Sequence, residues 1–153
     1  MIYPVCRDTV LLSKPAEAAT NADLQIACDL AETLLANRQR CVGMAANMIG
    51  FPKNIIAILP PDAQLPLVML NPKIIAKSGR YETQEGCLSL PGERQTVRFH
   101  SITVRWLNLN MQPQKRTFEG YPAQIIQHEI ANSLAQYDNQ LLTAGFCPPE
   151  THL

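Results

Sequence analysis

EGCLSLPG, residues 85–92, is the stretch on which the fold turns. Cys87 stands between Gly86 and Leu88, behind a strand-like segment and ahead of Pro91–Gly92. A cysteine so placed has two readings. One is a small hydrophobe packed in a core, the usual fate of an unbridged cysteine. The other is a thiolate that binds a divalent transition metal tightly. The eight residues alone do not choose between them, so the choice rests on what else the chain offers to a metal or a substrate.

Downstream lies QHEIANSL, residues 127–134. It opens like the zinc-hydrolase signature HExxH, but Asn132 stands where the second histidine belongs. On a helix, positions 128 and 132 are one turn apart and share a face. Two histidines at that spacing reach one ion, and a glutamate after the first holds the metal-bound water. Upstream lies CVGMAANMIG, residues 41–50, rich in small residues and punctuated by glycines. It reads as a tight loop at which backbone meets another group closely, or as one wall of a narrow cleft.

The rest of the chain sets the frame. With 153 residues, 46% hydrophobic and 17% charged, and no net charge, it suits one domain with one sizeable core. No basic excess suggests a nucleic-acid groove. No apolar run approaches the roughly 20 residues of a membrane span, and MIYPVCRDTV does not have the layout of a signal peptide. Five scattered cysteines without a CxxC pair argue against a disulfide framework and for a cytoplasmic setting. Residues 1–19 read as an irregular N-terminal arm. Thr20 with Asp23 forms the start of an amphipathic helix over 21–38. IIAIL (55–59), LVMLN (67–71), KIIAKSG (73–79), the segment before Cys87, ITVRWLNL (102–109) and QKRTFEG (114–120) read as strands. A last helix opens near Tyr121–Pro122 and carries QHEIA. Trp106 reads as packing, and His100 and His152 as surface or tail histidines. The pattern is α+β with mostly antiparallel strands.

Taken together, in this order and at this spacing, GMAANMIG, EGCLSLPG and QHEIANSL resemble the three motifs of the peptide deformylase family. Those motifs are Gly-x-Gly-x-Ala-Ala-x-Gln, Glu-Gly-Cys-Leu-Ser and Gln-His-Glu-x-Asp-His. The likeness extends over about residues 1–137, leaving 138–153 as a divergent tail on a single domain 1–153. It implies antiparallel β-sheets packed around a central helix that carries the HE motif. It also implies a divalent metal, Fe2+ or Zn2+, and N-formylmethionyl peptides as substrates, met near the ribosome exit. Under the resemblance Cys87 and His128 match two metal ligands, and Asn132 stands at the third. Glu129 matches the general acid/base, and the Leu88 N–H matches a donor to the developing oxyanion. Gly43, Met44, Met48 and Arg94 fall at positions of the substrate cleft, which Ile125 also borders.

Four positions depart from the family pattern: Cys41 for the first glycine, Met48 for the oxyanion glutamine, Ala131 for aspartate and Asn132 for histidine. An Asn amide oxygen is neutral and hard, a poor ligand beside a thiolate. Met48 has no N–H to donate. Loss of one oxyanion donor costs about a hundred- to thousandfold in rate. These departures give three expectations. The chain is a deformylase with strongly impaired activity, a working but divergent one using Asn132 or water as third ligand, or a module that grips formyl-Met or peptide N-termini without cleaving them.

Overall fold

The computed structural model describes residues 1–6, 8–12, 14–87, 93–133 and 146–147. Of Thr9, Gly86, Cys87, Glu93, Arg94, Asn132, Phe146 and Cys147 it describes the backbone alone. Element order is α1 (Thr9–Leu12), a 3-10 turn (Asn21–Asp23), α2 (Leu24–Ala36), β1 (Gly43–Ala45), a second 3-10 turn (Ala46–Ile49), β2 (Ile55–Ile58), β3 (Leu67–Cys87), β4 (Glu93–Leu107), β5 (Pro113–Glu119), α3 (Gly120–Ser133) and β6 (Phe146–Cys147).

The helix expected over 21–38 is a 3-10 turn followed by α2 over Leu24–Ala36, and the expected capping pair starts the turn. The Asp23 carboxylate accepts from the Thr20 N–H at 2.8 Å, and Thr20 Oγ1 accepts from the Ala22 N–H at 3.3 Å. These bonds satisfy donors that a helix start leaves over. The arm 1–19 is less irregular than expected, since it contains the single turn α1.

The strands pair antiparallel in the order β2-β1-β6-β3-β4-β5, and β2 also pairs with β3. The three runs from Leu67 to Cys87 are one 21-residue strand rather than three. The sequence breaks at Asn71–Pro72 because the ladder slips there, between Leu70 and Lys73, with Asn71 at a φ of 52°. A bulge of this kind bends a strand without ending it. Asn71 is held by its own amide, which bonds both N–H and C=O of Ala19 at 2.7 and 2.9 Å.

The loop expected over 41–50 is instead β1 followed by a 3-10 turn. Gly43, Met44 and Ala45 pair with Ile58, Ala57 and Ile56. β1 and β2 are buried on both faces, so their sequences show no alternation between apolar and polar. Side chains still alternate between two apolar clusters. Met44, Ile55 and Ala57 join Leu30 and Leu34 of α2, while Ala45, Ile56 and Ile58 join Ile125, Ile126 and Ile130 of α3. The sheet is thus covered by a helix on each side, with the HE helix packed on β1, β2 and β4. Trp106 lies in the α3-side cluster, 5.9 Å from Phe118 between ring centres.

Candidate active site

α3 is fixed along its length by polar side chains. Gln127 Oε1 accepts from the Phe99 N–H at 2.8 Å, and its Nε2 donates to the carbonyls of Phe99 at 2.8 Å and Ala123 at 3.0 Å. One amide therefore pins the helix to β4 and fixes its rotation. At the far end, the Ser133 carbonyl accepts from the Ala16 N–H at 3.0 Å, and Ser133 Oγ donates to Asn54 Oδ1 at 3.1 Å. Between these clamps lie His128 and Glu129, both buried.

His128 is oriented from below by Glu85. Its Nδ1 lies 2.6 Å from Glu85 Oε1, and both side chains are 2% exposed. Arg98 grips the same carboxylate with two bonds, Nε to Oε2 at 3.0 Å and a terminal nitrogen to Oε1 at 2.8 Å. Gln124 Nε2 adds a further bond to Oε2 at 3.0 Å. Burial pushes the Glu85 carboxyl up, but the hydrogen bond and charge of His128, and then Arg98, outweigh it and hold the pKa down to about 2. Glu85 is therefore an anion at neutral pH. A carboxylate on Nδ1 is the usual support of a histidine that ligates a metal through Nε2.

Glu85 is also what ties β3 to α3. Cys87 stands two places further along the same strand. Asn132 stands one turn past His128 on α3. Leu88 lies outside the described residues, as does His152, and Arg94 is placed by its backbone, opposite Glu85 in the β3–β4 register. Among the described residues, no three His, Cys, Asp or Glu side chains converge as a metal cage.

Gly43 and Glu129 meet closely. A Cβ on Gly43 would lie 2.8 Å from Glu129 Oε2 and 2.7 Å from Ile125 Cγ2, so any larger residue forces these side chains or the strand to shift. The glycines of residues 41–50 thus serve different needs, since Gly50 instead supplies a φ of 95° behind the 3-10 turn. Cys41 donates its thiol to the Gly43 carbonyl at 2.8 Å, steadying the start of β1.

Two residues expected at the cleft are buried in the core. Met44 and Met48 are fully buried and belong to the α2-side cluster, whereas Ile125 belongs to the α3-side cluster. Strand alternation separates Met44 from Gly43 and Ala45, which face α3. The sequence reading gave no role to Glu85, Arg98, Gln124 or Gln127. Glu85 and Gln127 begin the two quoted motifs, so their place there was a usable signal. Arg98 and Gln124 lie 13 and 39 residues from Glu85, and nothing local marks them.

The family model described as polypeptide deformylase matches residues 5–133. The chain is 45% identical over 130 residues to a peptide deformylase of Clostridium beijerinckii, covering 85% of this chain and 94% of that protein. It is 36% identical over 138 residues to a peptide deformylase of Aquifex aeolicus, covering 85% of this chain and 78% of that one. Among solved structures, a peptide deformylase from Legionella pneumophila superposes with a TM-score of 0.79 at 30% identity, covering 99% of this chain and 89% of that chain. A Met-Ala-Ser-bound peptide deformylase from Acinetobacter baumannii superposes with a TM-score of 0.76 at 29% identity, covering 94% and 97%. The chain, with its HE helix laid against a sheet and its histidine held by the glutamate of EGCLSLPG, belongs to the peptide deformylase family, whose metal-dependent reaction removes the N-formyl group.

Proposed function

We propose that this protein is a deformylase-family member that still receives N-formylmethionyl peptide ends but releases formate far more slowly than a member with the full motif set. The observation that carries this reading is Met48. Its side chain is 0% exposed, packed in the cluster of Leu30, Met44 and Ile49, and it has no N–H where the resemblance puts an oxyanion donor. Asn132 adds a second loss at the metal.

The donor set fits a transition metal only in part. Cys87 and His128 offer thiolate and imidazole, and Glu85 supports the imidazole as a ligand needs. Asn132 offers a neutral amide oxygen, which does not complete a three-ligand site for Fe2+ or Zn2+. What the chain's own residues supply is clearer. Glu129, buried against Gly43, would take a proton from water and return it to the leaving amine. The Leu88 N–H would donate to the oxyanion, and Arg94 and Gly43 would border the peptide. The setting is the cytoplasm, with nascent peptides at the ribosome exit as the source of substrate.

A second reading, a working but divergent enzyme with Asn132 or water as third ligand, is favoured by the complete Glu85–Arg98–His128 network. The third, a module that binds formyl-Met without cleavage, is favoured by the close Gly43–Glu129 approach, which needs no metal. The deciding experiment pairs metal content with formate release from formyl-Met-Ala-Ser, for the protein and for Asn132→His with Met48→Gln. The expected result is low release from the protein and a gain of about a hundredfold or more in the folded double variant. Equal, fast release from both would overturn the impaired reading. Calorimetric binding of the same peptide to metal-free protein separates the binding module from no binding at all.

A further inference from the structure

The two-residue strand β6 sits in an unusual place. Phe146 pairs antiparallel with Gly43 of β1 on one side and with Cys87 of β3 on the other, and Cys147 pairs with Gly86. β6 thus lies between two strands that do not otherwise pair with each other at these residues, and it touches α3. Were it absent, the Gly43 edge and the Gly86–Cys87 edge would face each other across one strand's width, about 10 Å from edge to edge. Both edges carry main-chain N–H and C=O groups that seek partners, and such a slot is a template for any extended chain.

The slot opens beside the candidate site. Gly43 lies close against Glu129, and Gly86–Cys87 follow Glu85 directly. The occupant is poorly equipped to hold on. Two residues of it are paired among the described ones, and Pro148–Pro149 follow in the sequence, which have no N–H with which to extend a central strand. Its advantage is covalent attachment, which keeps it at high local concentration.

We propose that Phe146–Cys147 is a built-in competitor that fills the strand slot between β1 and the end of β3, so that an extended peptide reaches Glu129 only by displacing it. The proposal deepens the reading that this site receives peptide ends, and it rests on that reading for the identity of the displacing ligand. A weakly held occupant of this kind lowers the apparent affinity of the peptide by the fraction of molecules in which the slot is open.

The test uses the full-length chain under reducing conditions. Phe146→Pro removes the N–H of the residue paired on both sides. Two probes are titrated by calorimetry: formyl-Met-Ala-Ser, and a synthetic peptide Ala-Gly-Phe-Cys-Pro-Pro matching residues 144–149. Both are expected to bind Phe146→Pro about tenfold more tightly than the unaltered protein. Amide hydrogen exchange supplies a reading that does not depend on the variant folding. In the unaltered protein, formyl-Met-Ala-Ser is expected to speed exchange at Phe146 and Cys147 while Gly43 and Gly86 stay protected. Equal affinities in both proteins, or bound peptide with Phe146 and Cys147 still protected, would overturn the proposal. If the synthetic peptide binds the variant more tightly and formyl-Met-Ala-Ser binds neither protein, the competitor stands and the peptide-end reading fails. If neither peptide binds either protein, both fail.

Discussion

The Nδ1 of His128 and the Oε1 of Glu85 lie 2.6 Å apart, in a pair of side chains almost wholly withdrawn from water. That bond joins the end of β3 to the middle of α3. Arg98, whose side chain is 13% exposed, shares the carboxylate. Glu85→Ala is therefore expected to lower stability by about 3 kcal/mol, because removing one partner leaves a guanidinium poorly solvated and unpaired. Glu85→Gln, which retains an acceptor oxygen, should lose less. Urea midpoints of the two variants check the order, and equal stability of Glu85→Ala and the unaltered protein would contradict it.

The same carboxylate makes metal-free stability depend on acid. Glu85 has its pKa lowered from 4.5 to about 2 in the fold, so the unfolded chain binds its proton first as pH falls. The stabilisation is complete above about pH 5 and is lost between there and about pH 2, on the order of 3 kcal/mol in all. Chemical denaturation at pH 7, 4 and 2.5 measures it, with Glu85→Gln showing a shallower decline over that window.

Gly43→Ala should destabilise by about 1–3 kcal/mol through overpacking against Ile125 and Glu129. Trimming the methyl it meets should relieve part of the strain. Gly43→Ala with Ile125→Ala is expected to fall short of the sum of the single losses, and a strictly additive cycle would show that the two do not compete for the same space.

Gln127→Ala removes the amide that satisfies both main-chain groups of Phe99. The loss should be about 1–3 kcal/mol, with faster amide exchange at Phe99 as its local signature. A stability loss without that change in exchange would place the effect elsewhere.

Met48→Gln carries its own penalty. It puts an amide into a cluster of apolar side chains, at a cost of about 1–3 kcal/mol unless the amide finds a partner there. Thermal unfolding should show the drop. Formate release by any variant containing it is then to be read per folded molecule.

Much of this protein was legible before its structure. EGCLSLPG, QHEIANSL and the small-residue run at 41–50 carry the family in side-chain identity, and identity is a local property of the chain. The helix start at Thr20 and the HE helix were legible for the same reason, since capping and helical spacing depend on residues a few places apart. What the sequence left open were choices of face and register. β1 and β2 are apolar throughout because both faces are covered, so no alternation could tell that Met44 packs toward α2 while Gly43 and Ala45 face α3. Arg98 and Gln124 are ordinary polar residues until the fold closes them on Glu85. The pairing of Phe146 with both Gly43 and Cys87 joins segments about 100 and 60 residues apart, and only the tertiary structure decides such long-range strand neighbours, because chain closure over those lengths has a weak and unspecific entropy.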